Sequence, residues 1–257
     1  MSGIPPWVDA ARLVGHDPKR PLWLDAHDAA DVAERLRNVV LGGSPVRVVV
    51  EPGLPRSAVR DARLRAARRR RRRTAGFERS GVRLDAEGRV SLTPEAIALR
   101  LAGRVRGASV VDACAGCGGN AIAFARAGCP VVAIEIDPGR LAMARHNARV
   151  YGVDSRIRFV RGDARDWVAR LSADLLFVDP PWGGTNAIRR PPTLHDLPPL
   201  EDILAAARGR YERIWVKAPA AFVVGSLPGA RVEPVFGLAP GDRDRVKFLL
   251  LELSDRS

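Results

Sequence analysis

The hexapeptide Asp179-Pro180-Pro181-Trp182-Gly183-Gly184 follows the apolar run Leu175 to Val178. A carboxylate, two prolines and an indole at the end of a short predicted strand combine acceptors for an exocyclic amine with a flat apolar face. The Asp179 carboxylate and the Pro180 carbonyl can accept hydrogen bonds from an NH2 group, and the prolines hold the backbone so that those acceptors stay in place. Trp182 can stack on a planar ring or cover it. Proline and glycine also punctuate ordinary loops, so the hexapeptide alone fits a plain strand-ending turn equally well.

A second group of residues lies upstream. Val110 to Asn120 reads as a strand running into a glycine-rich turn, Gly116-Cys117-Gly118-Gly119, and then a helix from Ala121 to Ala127. Glycines there allow a ligand to approach the backbone closely. The next strand, Val131 to Ile134, ends at Glu135, which is placed to grip the two hydroxyls of a ribose. Asp137 precedes Pro138 and reads as the N-cap of a helix from Pro138 to Tyr151. A third strand, Ile157 to Val160, leads to Gly162-Asp163-Ala164. In an open parallel sheet, ligands bind outside the carboxyl ends of the strands, so Asp112, Glu135, Asp163 and Asp179 are expected to converge on one crevice. The glycine loop lacks the G-x-G-x-x-G spacing of dinucleotide enzymes and is not followed by the lysine and serine of an NTPase loop.

These blocks, with Gly81-Val82-Arg83-Leu84-Asp85 and Ser91-Leu92-Thr93-Pro94-Glu95 ahead of them, resemble a class I S-adenosylmethionine-dependent methyltransferase. More narrowly, they resemble the trimethylguanosine synthase, or RNA cap guanine-N2 methyltransferase, family, over about Phe77 to Lys217. The resemblance implies an α/β, doubly wound, Rossmann-like sheet with a terminal antiparallel hairpin. It implies S-adenosyl-L-methionine as cofactor, with Asp112, Gly116 and Gly118 at its methionine end, Glu135 at its ribose and Asp163 at its adenine. Ala113, Asn120, Ile136 and Thr93 join this cofactor set. On the acceptor side it implies Asp179, Pro180, Pro181 and Trp182 as the catalytic turn, with Trp182 stacked on guanine. Where the eukaryotic cap enzymes resemble S-P-P-W this chain has Asp179, a form closer to guanine-N2 methyltransferases of ribosomal RNA. The implied activity is methylation of an exocyclic base nitrogen in RNA, most simply guanine N2. The alternatives are a DNA adenine-N6 or cytosine-N4 methyltransferase, which uses a similar turn, and an inactive RNA-binding relative.

Composition adds a partner. The chain has 257 residues, 46% of them hydrophobic, with a formal net charge of +13. That length suits one catalytic domain with a small extension. Between Pro52 and Gly76 there are ten arginines and one acid, Asp61, and Arg68, Arg69, Arg70, Arg71, Arg72 and Arg73 are consecutive. Such a block attracts phosphates with little sequence information, or it is a solvated, partly disordered linker of an arginine-rich genome; a flexible basic segment that orders on RNA reconciles the two. Arg189 and Arg190, in a proline-rich loop from Gly183 to Pro199, are further candidates for substrate phosphates. High arginine and alanine content suits a G+C-rich bacterial genome, so ribosomal or transfer RNA is expected rather than a cap.

The expected organisation is a helix-and-strand extension over 1–51, a basic segment over 52–76 and the catalytic domain over 77–257. Within the extension, Asp28 to Val40 has helical spacing and Val46 to Val50 reads as a buried strand, with Trp7 and Trp23 packed in that unit. Thr93 reads as an N-cap with Pro94 at the first helical position. A helix Leu200 to Arg210, a strand Arg213 to Lys217, and the segments Val232 to Phe236 and Val246 to Leu253 complete the sheet. Lys217 is expected to snorkel into solvent or to face substrate. Cys114 and Cys117 have C-x-x-C spacing without a second ligand pair, so no metal is expected. With no signal peptide and no long apolar segment, a cytoplasmic protein without membrane partners is expected. Nothing in the sequence bears on oligomeric state.

Overall fold

The structure is a computed structural model that describes residues 2–14, 23–70, 76–182, 190–239 and 241–254, without the side chains of residues 12 and 68–70. In chain order the helices are α1 (Ala10–Val14), α2 (Ala26–Leu36), α3 (Arg56–Arg70), α4 (Gly88–Ser91), α5 (Glu95–Gly103), α6 (Gly119–Arg126), α7 (Pro138–Tyr151), α8 (Ala164–Val168) and α9 (Leu200–Ala207). The strands are β1 (Val40–Leu41), β2 (Ser44–Pro45), β3 (Val110–Asp112), β4 (Val131–Glu135), β5 (Ile157–Arg161), β6 (Ala173–Val178), β7 (Tyr211–Ala218), β8 (Arg231–Phe236) and β9 (Val246–Ser254).

Strands β3 to β9 form one sheet in the order β5-β4-β3-β6-β7-β9-β8. β5 through β7 are parallel, and β9 inserts antiparallel between β7 and β8, which gives the expected hairpin. The central strands are apolar on both faces because helices cover both. In β6, Leu175 and Phe177 point to the layer formed with α5, α6 and α7, while Leu176 and Val178 point to the layer formed with α8 and α9. This alternation follows directly from the two-residue side-chain period of a strand. The class I architecture expected from the sequence is therefore present.

The N-terminal residues depart further from expectation. Val8, Leu13, Leu36, Leu41 and Val46 close a small core on Phe236 of β8, with Trp7 partly buried against it. The Gly42 amide donates to the Ala220 carbonyl at 3.2 Å, which docks this unit on the antiparallel side of the sheet. Residues 46–50 are not a strand. Val46 and Val48 turn inward, but Arg47 meets only Ser2 in an isolated bridge and Val49 is 75% exposed. Among the described residues that bridge is the only strand-like pairing of 46–50, which leaves no ladder. Trp23 is 92% exposed, so it does not anchor this core.

The arginine-rich segment is helical as far as Arg70. Ala58 and Ala62, one turn apart, pack against Ala30 of α2. The acids of α2 face this helix, with Arg65 paired to Asp31 at 3.0 Å and Arg63 near Glu34 at 4.0 Å. Arg71, Arg72 and Arg73 lie outside the described residues.

Candidate active site

The carboxyl ends of β3, β4, β5 and β6 open on one cavity of about 590 Å³, within the range of small-molecule sites. It lies where β3 is flanked by β4 and β6, the point at which the strand order reverses. Its wall includes Ala113, Gly116, Asn120, Glu135, Ile136, Asp163, Thr93 and the whole turn Asp179, Pro180, Pro181 and Trp182. Two blocks that are far apart in sequence, the glycine loop and the D-P-P-W turn, therefore share one space.

Backbone hydrogen bonds beyond the strands pin the glycine loop. Ala113 N donates to the Phe177 carbonyl and Ala115 N to the Ile134 carbonyl, each at 2.9 Å. Gly116 lies in the left-handed region with φ 53° and lines the cavity. Gly118 has φ 90°, but a Cβ there would meet Ala144 of α7 at 3.0 Å. Gly118 is thus required for loop-to-helix packing and is absent from the cavity wall, a correction to its expected place beside the cofactor. Asn147, fully buried on α7, donates to the Arg83 and Cys117 carbonyls at 2.9 Å, stitching the upstream segment to the loop.

The four acids occupy four different environments. Asp112 is fully buried at the end of β3, next to Ala113 of the cavity wall. Neither of its carboxylate oxygens has a hydrogen-bond partner among the described residues. Burial, and then the charges of Asp179 and Glu135, push its carboxyl up to about 8. Glu135 is held by two backbone amides, Gly116 N at 2.8 Å and Asp137 N at 2.9 Å. Asp163 caps α8 through Arg165 N and pairs with the Arg165 guanidinium at 2.6 Å, which holds its carboxyl below the usual range.

Asp179 is the acid that meets a buried cation. Its Oδ2 accepts from Lys217 Nζ at 2.7 Å and from Asn120 Nδ2 at 3.2 Å, whereas Oδ1 carries no hydrogen bond among the described residues. Burial pushes this carboxyl above its ordinary value, and the Lys217 ammonium and Asn120 amide pull it back. Lys217 is 3% exposed, donates to the Ser91 carbonyl at 2.9 Å, and lies 4.9 Å from the centre of the Trp182 ring. Neither sequence expectation for Lys217, solvent or substrate, describes this position. The signal was available in the run Ile214 to Val216, where apolar residues on both faces mark the end of β7 as buried.

Thr93 is also corrected. Pro94 is the N-cap residue of α5, and the Thr93 hydroxyl is buried, unpartnered and on the cavity wall. Trp182 is half-buried among core side chains, with its indole nitrogen buried and unpartnered. Arg190 is engaged by Asp196 through two hydrogen bonds, at 2.8 and 2.7 Å, away from the cavity wall. Arg189 lies outside the described residues, and the side chains of Arg68, Arg69 and Arg70 are not described. Arg140 also lines the cavity and pairs with Asp85 at 2.8 Å, a position that no sequence motif marks.

The donor set fits S-adenosylmethionine. An orphaned Thr93 hydroxyl faces the cavity, Glu135 presents a carboxylate oriented by backbone amides, and Ile136 beside it is an apolar side chain 63% exposed on the same wall.

A family model described as RNA cap guanine-N2 methyltransferase matches residues 107–196. Trimethylguanosine synthase of Schizosaccharomyces pombe is 42% identical over 116 residues, covering 41% of this chain and 48% of that protein. Ribosomal RNA small subunit methyltransferase J of Rhodopseudomonas palustris is 37% identical over 83 residues, covering 29% of this chain and 38% of that protein. The chain thus spans less than half the length of these two relatives. A solved structure from Porphyromonas gingivalis W83, described provisionally as a methyltransferase, aligns with 92% of this chain and 60% of its own at 17% identity and a TM-score of 0.57, a likeness of fold. The matched stretch 107–196 carries the glycine loop, Glu135, Asp163 and the D-P-P-W turn, and over that stretch the chain is similar to the RNA cap guanine-N2 methyltransferase family.

Proposed function

We propose that this protein transfers a methyl group from S-adenosylmethionine to an exocyclic nitrogen of an RNA base, guanine N2, with ribosomal or transfer RNA as substrate. The observation that carries the reading is the single cavity shared by the glycine loop and the Asp179-Pro180-Pro181-Trp182 turn. The family match over residues 107–196 supports it, as does a relative named for ribosomal RNA methylation.

Bound against Thr93, Gly116, Glu135, Ile136 and Asp163, the cofactor would supply an electrophilic methyl group whose bonding pair stays with sulfur. The protein supplies alignment and electrostatics. Glu135 takes the ribose hydroxyls, and Thr93 offers a hydroxyl that the protein leaves unused. Asp179 Oδ1 and the Pro180 carbonyl accept the two N–H bonds of the amine and aim its lone pair at the methyl. Alignment of this kind can contribute roughly 7 to 11 kcal/mol in favourable intramolecular cases. As N2 gives its lone pair to the new N–C bond, positive charge grows beside the Asp179 carboxylate, which is placed to stabilise it. The surplus proton then passes to solvent. Trp182 is the apolar wall against which the base lies, and the arginines of α3 meet phosphates.

Methyl transfer from labelled S-adenosylmethionine to total RNA, DNA and protein, with the product identified by nuclease digestion and mass spectrometry, tests this. Label in N2-methylguanosine is expected. Label in a DNA amino group, or none despite cofactor binding, would replace the reading with one of its alternatives.

A further inference from the structure

We propose that Lys217 is a positioning residue for this reaction: its ammonium holds Asp179 as an oriented anion and ties the acceptor side of the site to the cofactor side. The inference rests on the methyltransferase reading above and adds a residue outside the motifs that led to it.

The ammonium is placed among four neighbours. Two are oxygens, Asp179 Oδ2 at 2.7 Å and the Ser91 carbonyl at 2.9 Å; two are rings, Trp182 at 4.9 Å and Phe248 at 5.4 Å. A lysine this buried is tolerated only when paired, and cations within about 6 Å of an aromatic centre are attracted to its face. On β7 the side chain shares a face with Trp215 and sits opposite Leu250 in the ladder, and Asp179 is its ion-pair partner among the described residues.

Two consequences follow from those contacts. The first concerns Asp179. Around it lie Lys217 from β7 and the Asp112 carboxyl from β3, which itself feels Glu135 from β4, with the Cys114 thiol and neutral Asn120 also facing Asp179. Lys217 is the cation of that group. It engages Oδ2 and leaves Oδ1 open to the amine. Without it, Asp179 would sit beside the Asp112 carboxyl in a low-dielectric space with no counter-charge and take up a proton, becoming a donor where the amine needs an acceptor. The second concerns the wall opposite. Ser91 and Leu92 line the cavity, and a Cβ at Gly119 would meet Leu92 Cδ1 at 2.4 Å, so this segment sits directly on the glycine loop. The Ser91 hydrogen bond makes Lys217 the bridge between that wall and the D-P-P-W turn.

The test uses the full chain with Lys217→Met, Lys217→Arg and Asp179→Asn/Lys217→Met. The Asp179 carboxyl is followed by carbon-13 NMR titration, cofactor affinity by calorimetry, and kcat against pH on the RNA that the wild type methylates. In Lys217→Met the Asp179 midpoint is expected to rise by about one unit or more, and the acidic limb of kcat to move with it. A fall in kcat of about tenfold or more is expected at neutral pH, partly recovered at higher pH. Lys217→Arg should restore the limb, and the double variant should lack it. An Asp179 titration unchanged by Lys217→Met overturns the inference whether or not any RNA is methylated. An unchanged pH limb with an active wild type does the same. If Lys217→Met does not fold, Lys217→Arg and the double variant carry the comparison: a limb in the double variant like that of the wild type refutes the role. A wild type that binds cofactor and methylates no RNA refutes the parent reading instead, while the titration still decides the ion pair.

Discussion

The Glu135 carboxylate accepts the Gly116 amide at 2.8 Å, so the acid at the end of β4 shapes the glycine loop that follows β3. The same group is the candidate for the ribose of the cofactor. Glu135→Gln keeps the size and one acceptor but removes the charge. Charge-assisted hydrogen bonds are worth about 1.5–3 kcal/mol, so cofactor affinity should fall by roughly tenfold to a hundredfold. Calorimetric titration checks this; unaltered affinity would remove Glu135 from the cofactor site.

Asp179→Asn preserves shape and leaves Lys217 an amide oxygen to bind. Loss of a preorganised partner for developing charge typically costs about 100- to 1000-fold in kcat, and a loss of that size is expected here with cofactor affinity nearly unchanged. Tritium transfer under saturating cofactor measures it. Asp179→Ala is a poorer probe, because stripping one partner from a buried ion pair destabilises by about 3–5 kcal/mol and mixes folding with catalysis.

Much of this site is legible in sequence because its parts are local. The turn from Asp179 to Trp182, the glycine loop and the acids at strand ends each announce themselves within a few residues, and the parallel topology brings them together. What is not legible depends on pairing across the fold. Lys217 finds Asp179 only once β6 and β7 are neighbours. Asp112 is fully buried, although its strand position resembles those of the other acids. Gly118 looks like a ligand-approach glycine and is instead a packing glycine, since Ala144, 26 positions further along the chain, lies directly across from it in space. The N-terminal unit suffered most: the alternation of Val46 to Val50 is real, but a strand also needs an edge to pair with.

Asp112 makes the stability of the protein depend on pH in a definite direction. Its folded pKa, about 8, lies above that of an ordinary carboxyl, so the folded state binds a proton that the unfolded chain releases. The associated stability is complete below about pH 4 and declines as pH rises to the folded pKa, at up to about 1.4 kcal/mol per unit. Asp112→Asn removes this dependence. In thermal unfolding of the cofactor-free protein, the variant should gain on the wild type as pH increases from acid to mildly alkaline; a constant difference would contradict the assignment.

The arginines of α3 can be separated from catalysis by salt. Arg60 and Arg63 are exposed and only loosely opposed by acids, at 3.6 and 4.0 Å. Replacing both with alanine should lower RNA affinity and reduce the slope of log K against log salt by about 1.4 for single-stranded RNA. Binding measured at several salt concentrations decides it. An unchanged slope would place the RNA elsewhere.

Gly118→Ala should destabilise without touching ligand. Its φ of 90° disfavours any side chain, and the new methyl would press on the Ala144 backbone and Cβ of α7. A loss of about 1–3 kcal/mol in denaturant unfolding is expected.

The pairing of Asp179 with Lys217, 38 positions apart, also constrains how the two can change through descent. A buried lysine facing serine would be an unneutralised charge, and a buried aspartate facing leucine would be another. Either single replacement passes through a damaged intermediate, so the two positions should exchange together. Among relatives whose turn reads S-P-P-W, the position matching Lys217 is expected to hold an uncharged residue, and D-P-P-W relatives are expected to keep a cation there. Lineages would then divide into two self-consistent versions of one site, and a collection of aligned sequences would show the division as covariation.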